Sequence, residues 1–130
     1  MNLQDAQVEE HGTQLVVGGC RLPVPAHRIE RLKRHAGGSV KFGIRPEHIT
    51  AGGHSEAAVV NVEGRLRFME HMGSEVFVHF TLGDIPFTCR VPSDQLRDLG
   101  SKQRGDLHQF GVQMHASHAF DLTSGQNLFL

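Results

Sequence analysis

Seven residues, Gly43-Ile44-Arg45-Pro46-Glu47-His48-Ile49, set a guanidinium, a carboxylate and an imidazole around a proline. Pro46 fixes its own φ and pushes Arg45 toward an extended conformation. The strand-like run Ser39 to Phe42 should therefore end in a rigid turn that displays Arg45, Glu47 and His48, with Gly52-Gly53 breaking the chain beyond it. Such a turn can tidy a sheet edge or hold charges out to a partner, and spacing alone allows both. Glu70 and Glu75 flank Gly73-Ser74 in a second polar turn. With Glu47 they could form salt links to Arg45 or to a second subunit, or simply be solvated. The cluster Arg28, Arg31, Lys33 and Arg34, with His27 and His35, is either a docking patch for an acidic partner or the solvated face of a helix.

Other chemistry lacks its parts. His115, His118 and Asp121 recur at three-residue spacing, which on a helix would be a ligand face. Gly125 and the preceding strand pattern call for extended or turn structure instead, and no Cys pair supports a site, so no metal is expected. There is no Gly-x-x-x-x-Gly-Lys-(Ser/Thr) loop; Gly100-Ser101-Lys102 and Gly38-Ser39-Val40-Lys41 do not fit it. Without that loop no nest of backbone N–H groups or lysine cradles a nucleotide phosphate, so neither a nucleotide cofactor nor ATP hydrolysis is expected of this chain. Ser124-Gly125-Gln126 echoes an ATPase signature sequence but lacks its second glycine. No nucleophile elbow occurs. Stacking on single-stranded nucleic acid needs aromatic platforms in a basic groove. The chain has no Trp or Tyr, and its eight Phe largely follow the buried strand pattern, so nucleic acid is not an expected partner.

A chain of 130 residues is most simply one domain. It can bury roughly 70% of its unfolded surface, enough for a core without disulfides or metals. Hydrophobic and charged contents of 38% and 21% are those of an ordinary soluble domain. A formal charge of −1 speaks against a general binder of nucleic acid or anionic membrane. No apolar run reaches the roughly 20 residues that span a bilayer, and Met1 to Glu10 has no apolar signal region. Two isolated cysteines, Cys20 and Cys89, read as reduced thiols. A cytoplasmic location is the expectation. The ten histidines are enough to reverse the sign of that charge near their usual pKa of about 6.5.

These residues must be positioned mainly by strands. Val60, Val62, Gly64, Leu66 and Phe68 alternate with polar residues, with Gly64 suggesting a bend or bulge. Val76, Val78, Phe80 and Leu82 continue the period of two beyond Met72-Gly73-Ser74, predicting an antiparallel hairpin. Gly83-Asp84 should turn into a strand with Phe87, Cys89 and Val91 on one face, and His108, Phe110, Val112 and Met114 share a face further on. Leu3 to Glu9, Thr13 to Val17 and Cys20 to Leu22 read as short strands. Between Pro25 and Ala36 the period changes: Ile29, Leu32 and Ala36 predict an amphipathic helix ended by Gly37-Gly38. Ser93 could cap a short helix from Asp94 to Leu99. The fold class expected is mainly β, an antiparallel barrel with one or two short helices. Residues 1–50 would supply the first strands, the helix and the turn, 51–56 a joint, and 57–130 the remaining strands.

The motif Gly43 to His48 resembles the Gly-Ile-Arg-Pro-Glu-His string in the C-terminal domain of ATP-binding subunits of sugar-type ABC importers. Glu70-His71-Met72-Gly73-Ser74-Glu75 is similar to that family's Glu-x-Leu-Gly-x-Glu, and Gly105-Asp106 to a Gly-Asp opening a late strand. Phe120-Asp121-Leu122-Thr123-Ser124-Gly125-Gln126-Asn127-Leu128 resembles the closing Phe-Asp-x-x-(Ser/Thr)-Gly-x-x-Leu, and Met1-Asn2-Leu3 the exit from the ATPase domain. The motifs run in the family's order from about residue 1 to 128. Met72 in place of Leu, His71 in place of an apolar or Pro residue, and the basic stretch Arg28 to Arg34 depart from the pattern. The resemblance implies an oligonucleotide/oligosaccharide-binding-type (OB) transport-associated barrel without chemistry of its own. It would support dimerisation of the ATP-binding subunits beneath a membrane permease and, in some members, offer a surface to a regulatory protein. Arg45, Glu47, His48, Glu70, Gly73 and Glu75 are the residues it marks for those contacts. An alternative it raises is binding of a molybdate-like oxyanion by backbone N–H groups near Gly73-Ser74.

Overall fold

The computed structural model describes residues 1–52 and 59–129. Among these residues, ten strands form two five-stranded antiparallel sheets. In the first, β1 (Asn2–Glu9) pairs with β2 (Gln14–Val17) and β4 (Ser39–Ile44); β2 pairs with β3 (Cys20–Pro23), and β4 with β10 (His118–Phe120). In the second, β9 (Leu107–Gln113) lies between β5 (Ile49–Thr50) and β6 (Val59–Met72). Beyond β6 come β7 (Glu75–Leu82) and β8 (Ile85–Pro92). The edge strands β5 and β8 come into contact without a shared ladder, so this sheet curls toward closure. The architecture is the mostly β, OB-like one expected.

The alternation pattern is what builds it. Val76, Val78, Phe80 and Leu82 are all buried, as are Phe87, Cys89 and Val91 opposite them and His108, Phe110, Val112 and Met114 across β6. Apolar rows from both sheets merge in one core. Burial pushes the Cys89 thiol up to about 12, so it behaves as a small apolar side chain.

Gly64 does not bulge the strand; it makes room. A Cβ there would lie 2.6 Å from the Phe80 ring and 3.1 Å from that of Phe110, two rings stacked at 3.8 Å. The register shift comes later, between Leu66 and Phe68. One extra residue reverses which side chains face inward. Phe68 is therefore 49% exposed instead of joining Leu66 in the core.

The two sheets are tied at one edge by side chains that occupy the backbone of β8. Asn2 Oδ1 accepts from Thr88 N–H, and Asn2 Nδ2 donates to the carbonyls of Thr88 and Ile44. Gln4 Nε2 donates to the carbonyl of Pro86. The helical stretch expected from Pro25 to Ala36 is present but tightly wound: one α-turn, α1 (Ile29–Leu32), lies between 3₁₀ turns at Ala26–Arg28 and Lys33–His35. Residues 93–101 likewise form 3₁₀ turns, and Ser93 makes no side-chain cap. Of the expected joint 51–56, residues 53–56 lie outside the described residues.

Candidate functional site

Pro46 acts as its chemistry dictates. Arg45 is extended at φ −75° and ψ 147°, and Pro46–His48 form one 3₁₀ turn in which His48 N–H bonds to the Arg45 carbonyl at 2.9 Å. Arg45 and Glu47 are exposed and His48 half-buried. The backbone N–H of Glu47 itself outweighs desolvation and, with smaller help from Arg90, His48 and Arg45, holds the Glu47 carboxyl below its usual pKa.

Arg90 connects this turn to the second motif. Its Nη2 lies 3.8 Å from Glu47 Oε2, and its Nε donates to Glu75 Oε2 at 2.8 Å. The hairpin geometry explains the meeting: Met72 pairs with Glu75 across the two-residue turn Gly73-Ser74, and Phe77 with Arg90 across β7 and β8. Gly73 sits at φ +67°, a conformation that favours glycine. Sequence reading missed Arg90. Its signal was available in the alternation of Phe87, Cys89 and Val91, which turns Arg90 outward, but its acidic partners follow only from the strand register.

Glu70 does not join them. Its carboxylate lies 2.6 Å from His79 Nε2, while His79 Nδ1 lies 2.9 Å from Thr88 Oγ1. Phe68 stacks on His79 with ring centroids 4.3 Å apart. With Nε2 protonated toward Glu70, Nδ1 accepts from the Thr88 hydroxyl, so this face is a closed polar ladder. Of the six marked residues, Glu47 and Glu75 are thus brought together through Arg90. Arg45 and His48 flank Glu47, Gly73 shapes the turn, and Glu70 stands apart.

Two open grooves meet at this bridge. One, of about 480 Å³, is lined by apolar Ile49, Val91 and Pro92 together with Gln95 and Arg97. The other, of about 630 Å³, runs past Ser74, Glu75 and Asp94. Glu47, Arg90 and Pro92 line both. Arg97 has a φ of +54°, which costs a non-glycine residue backbone energy. This geometry suits recognition by charge and shape, and among the described residues lining it no nucleophile and base are paired.

The residues considered for metal are engaged otherwise. Asp121 accepts N–H bonds from Thr123 and Ser124, both at 2.8 Å, and these hold its carboxyl below its usual pKa. Asn127 Nδ2 donates to His118 Nδ1 at 2.9 Å, and His115 is exposed. Among the described residues no three His, Cys, Asp or Glu side chains form a metal-binding group.

Comparison with known proteins gives two overlapping family matches, the MalK OB fold domain over residues 1–49 and the TOBE domain over residues 42–120. The chain is 35% identical over 130 residues to the sulfoquinovosyl glycerol transport ATP-binding protein SmoE of Agrobacterium fabrum, with 98% of this chain and 33% of that protein covered. It is 31% identical over 129 residues to the sn-glycerol-3-phosphate import ATP-binding protein UgpC of Salmonella typhimurium, at the same coverages. The chain therefore spans about a third of the length of these relatives. Among solved structures, the cytoplasmic molybdate-binding protein ModG matches with a TM-score of 0.67 over 89% of this chain and 92% of its own, at 16% identity. That likeness is one of fold. With the TOBE match covering more than half of its residues, the chain belongs to the TOBE domain family.

Proposed function

We propose that this chain is the C-terminal, non-catalytic domain of the ATP-binding subunit of an ABC importer for sugars or sugar phosphates. Its partner surface would be the turn at Arg45–His48 joined through Arg90 to the hairpin end at Glu75. The observation that carries this reading is the Arg90 bridge. It unites carboxylates from two separate motifs in one solvent-accessible patch. The relatives' names as ATP-binding import proteins supply the context, and their length leaves room for an ATPase unit elsewhere in such a subunit.

In that setting the domain sits on the cytoplasmic side of a membrane permease. It meets the second ATP-binding subunit, and a regulatory protein can use the same surface. A partner that binds one arrangement of the subunit pair better shifts the importer toward it, by no more than its difference in affinity for the two. The oxyanion alternative at Gly73-Ser74 gains no support from the turn's geometry. A Cβ on Gly73 would meet nothing within 4 Å, so the turn encloses no close-fitting space.

The test uses the full-length subunit carrying this domain, assembled with its permease. Arg90→Glu should leave the melting temperature within a few degrees while changing transport or its regulation severalfold, because it sets three like charges together at the patch. Unchanged transport, regulation and partner affinity would reduce the bridge to a fold feature.

A further inference from the structure

The basic stretch Arg28 to Arg34 takes no part in the Arg90 bridge, and its presentation differs from residue to residue. Three consecutive turns from Ala26 to His35 make one short helical segment, with Leu32 fully buried beneath it. Helical spacing puts His27, Arg31 and Arg34 at i, i+4 and i+7, on the side away from Leu32, and all three are exposed. They form a ridge roughly 10 Å long at 1.5 Å per residue.

The seat under this ridge is fixed. A Cβ on Gly12 would lie 3.1 Å from the Ile29 carbonyl oxygen and 3.2 Å from Lys33 N, so the helical backbone rests directly on that glycine. Before it, Glu10 and His11 hold φ values of +54° and +59°, which are strained for residues with side chains. At the segment's other end Arg28 Nη1 donates to the carbonyls of Met114 and Ser117 at 3.3 and 3.1 Å, and its guanidinium lies over the Phe129 ring, 5.0 Å from the centroid. Arg28 is thus a half-buried anchor and not part of the ridge. Nearby ion pairs engage other groups: Lys33 with Glu30 at 2.6 Å, Arg21 with Glu9 at 3.2 Å, and His35 with Asp121 at 3.9 Å. Among the described residues neither Arg31 nor Arg34 has an ion pair. With a formal charge of −1 on the whole chain, the ridge is a local excess of positive charge.

We propose that the ridge His27, Arg31 and Arg34 is a docking surface for an acidic helix of a protein partner. A second helix presents side chains with the same rise, so carboxylates at i, i+4 and i+7 can face all three residues. The two guanidinium groups match carboxylates in bidentate pairs, and the His27 ring adds an N–H donor. An anionic membrane fits less well. Attachment to it takes roughly four to eight clustered cations. The ridge has two arginines, and no exposed large apolar side chain on residues 26–36 could enter a bilayer. The surface does not rest on the Arg90 reading. Because this stretch departs from the family pattern, its partner is particular to this chain and not general to the family.

The experiment titrates the 130-residue chain, at about 50 mM salt, into two labelled helical peptides of equal charge. One carries glutamates at i, i+4 and i+7; the other carries the same glutamates spread around the helix. Fluorescence anisotropy should show saturable, submillimolar binding of the first and severalfold weaker binding of the second. Arg31→Gln combined with Arg34→Gln should weaken the first peptide about tenfold or more while the melting temperature stays within a few degrees, because both side chains are exposed. Arg90→Gln should bind it as the unaltered chain does, which separates this surface from the bridge. Phosphatidylserine vesicles are the third probe. Equal affinity for the two peptides, no saturation by about 1 mM, or undiminished binding by the double variant would overturn the proposal. So would the same loss in Arg90→Gln, or binding to the vesicles in place of the peptide.

Discussion

Glu47 holds a depressed pKa in an exposed position, and the sign of its effect follows from that. Its carboxylate is favoured in the folded chain by its own backbone N–H, then by Arg90, His48 and Arg45. The stability it contributes is present above the unfolded carboxylate pKa of about 4.3 and is lost as pH falls through the lower folded value. Melts of the chain and of Glu47→Gln should therefore differ at pH 6 and converge below pH 4; a difference that grows in acid would contradict the assignment. At neutral pH the difference should be small, since the pair to Arg90 is solvated and long, 3.8 Å. His118 titrates in the other range. Burial and nearby cations disfavour its charged form, so the stability it provides is full above about pH 6.5 and declines as pH drops toward its folded pKa. Replacing His118 by Gln should flatten that part of the stability profile.

At the scale of elements, close approach fixes what the strands tolerate. The turns at Gly18-Gly19 and Gly83-Asp84 belong to different sheets and touch: a Cβ on Gly18 would fall 2.0 Å from the Leu82 carbonyl oxygen, and one on Gly83 2.4 Å from that of Gly18. Both glycines have positive φ, +57° and +59°. Gly64→Ala meets the flat faces of Phe80 and Phe110 instead, and overpacking of this kind typically costs about 1–3 kcal/mol. Gly83→Ala should cost more than Gly64→Ala, because it combines a backbone clash with a strained φ while rings can slide; chemical denaturation of the two variants ranks them. Period-two alternation gave away the hairpins because β6, β7 and β8 each bury one face. It failed at Phe68, where an added residue in β6 reverses the inward side without a mark in composition. The turn at Arg45–His48 was legible because proline restricts its neighbours locally. The Arg90 bridge was not, since its three members meet only through the combined register of two hairpins and the curl that sets β5 beside β8.

For the whole molecule, the question is what surface remains once the two sheets have buried their apolar rows. The accessible area is 7181 Å², and the exposed large apolar side chains Met1, Leu3, Phe68, Met72, Leu107 and Leu122 are spread over the N-terminus and β1, β6, β9 and the segment after β10. A stable protein interface needs roughly 800 Å² per partner with an apolar centre. The Arg90 patch offers charged and polar side chains around shallow grooves, a composition typical of an interface rim and of transient contacts. The edge of β8, which could otherwise template strand addition, is occupied at Pro86 and Thr88 by Gln4 and Asn2. The chain should therefore self-associate weakly on its own, and tighten only when another unit of a longer subunit adds contact area and raises the effective concentration. Sedimentation velocity on the 130-residue chain at about 1 to 100 µM should show a monomer or a dimer dissociating at micromolar or weaker affinity, insensitive to Phe68→Ser but weakened by added salt. A nanomolar dimer, or one abolished by Phe68→Ser, would mean that the outer face of β6 and β7 is the principal contact and that the Arg90 patch plays no part in pairing subunits.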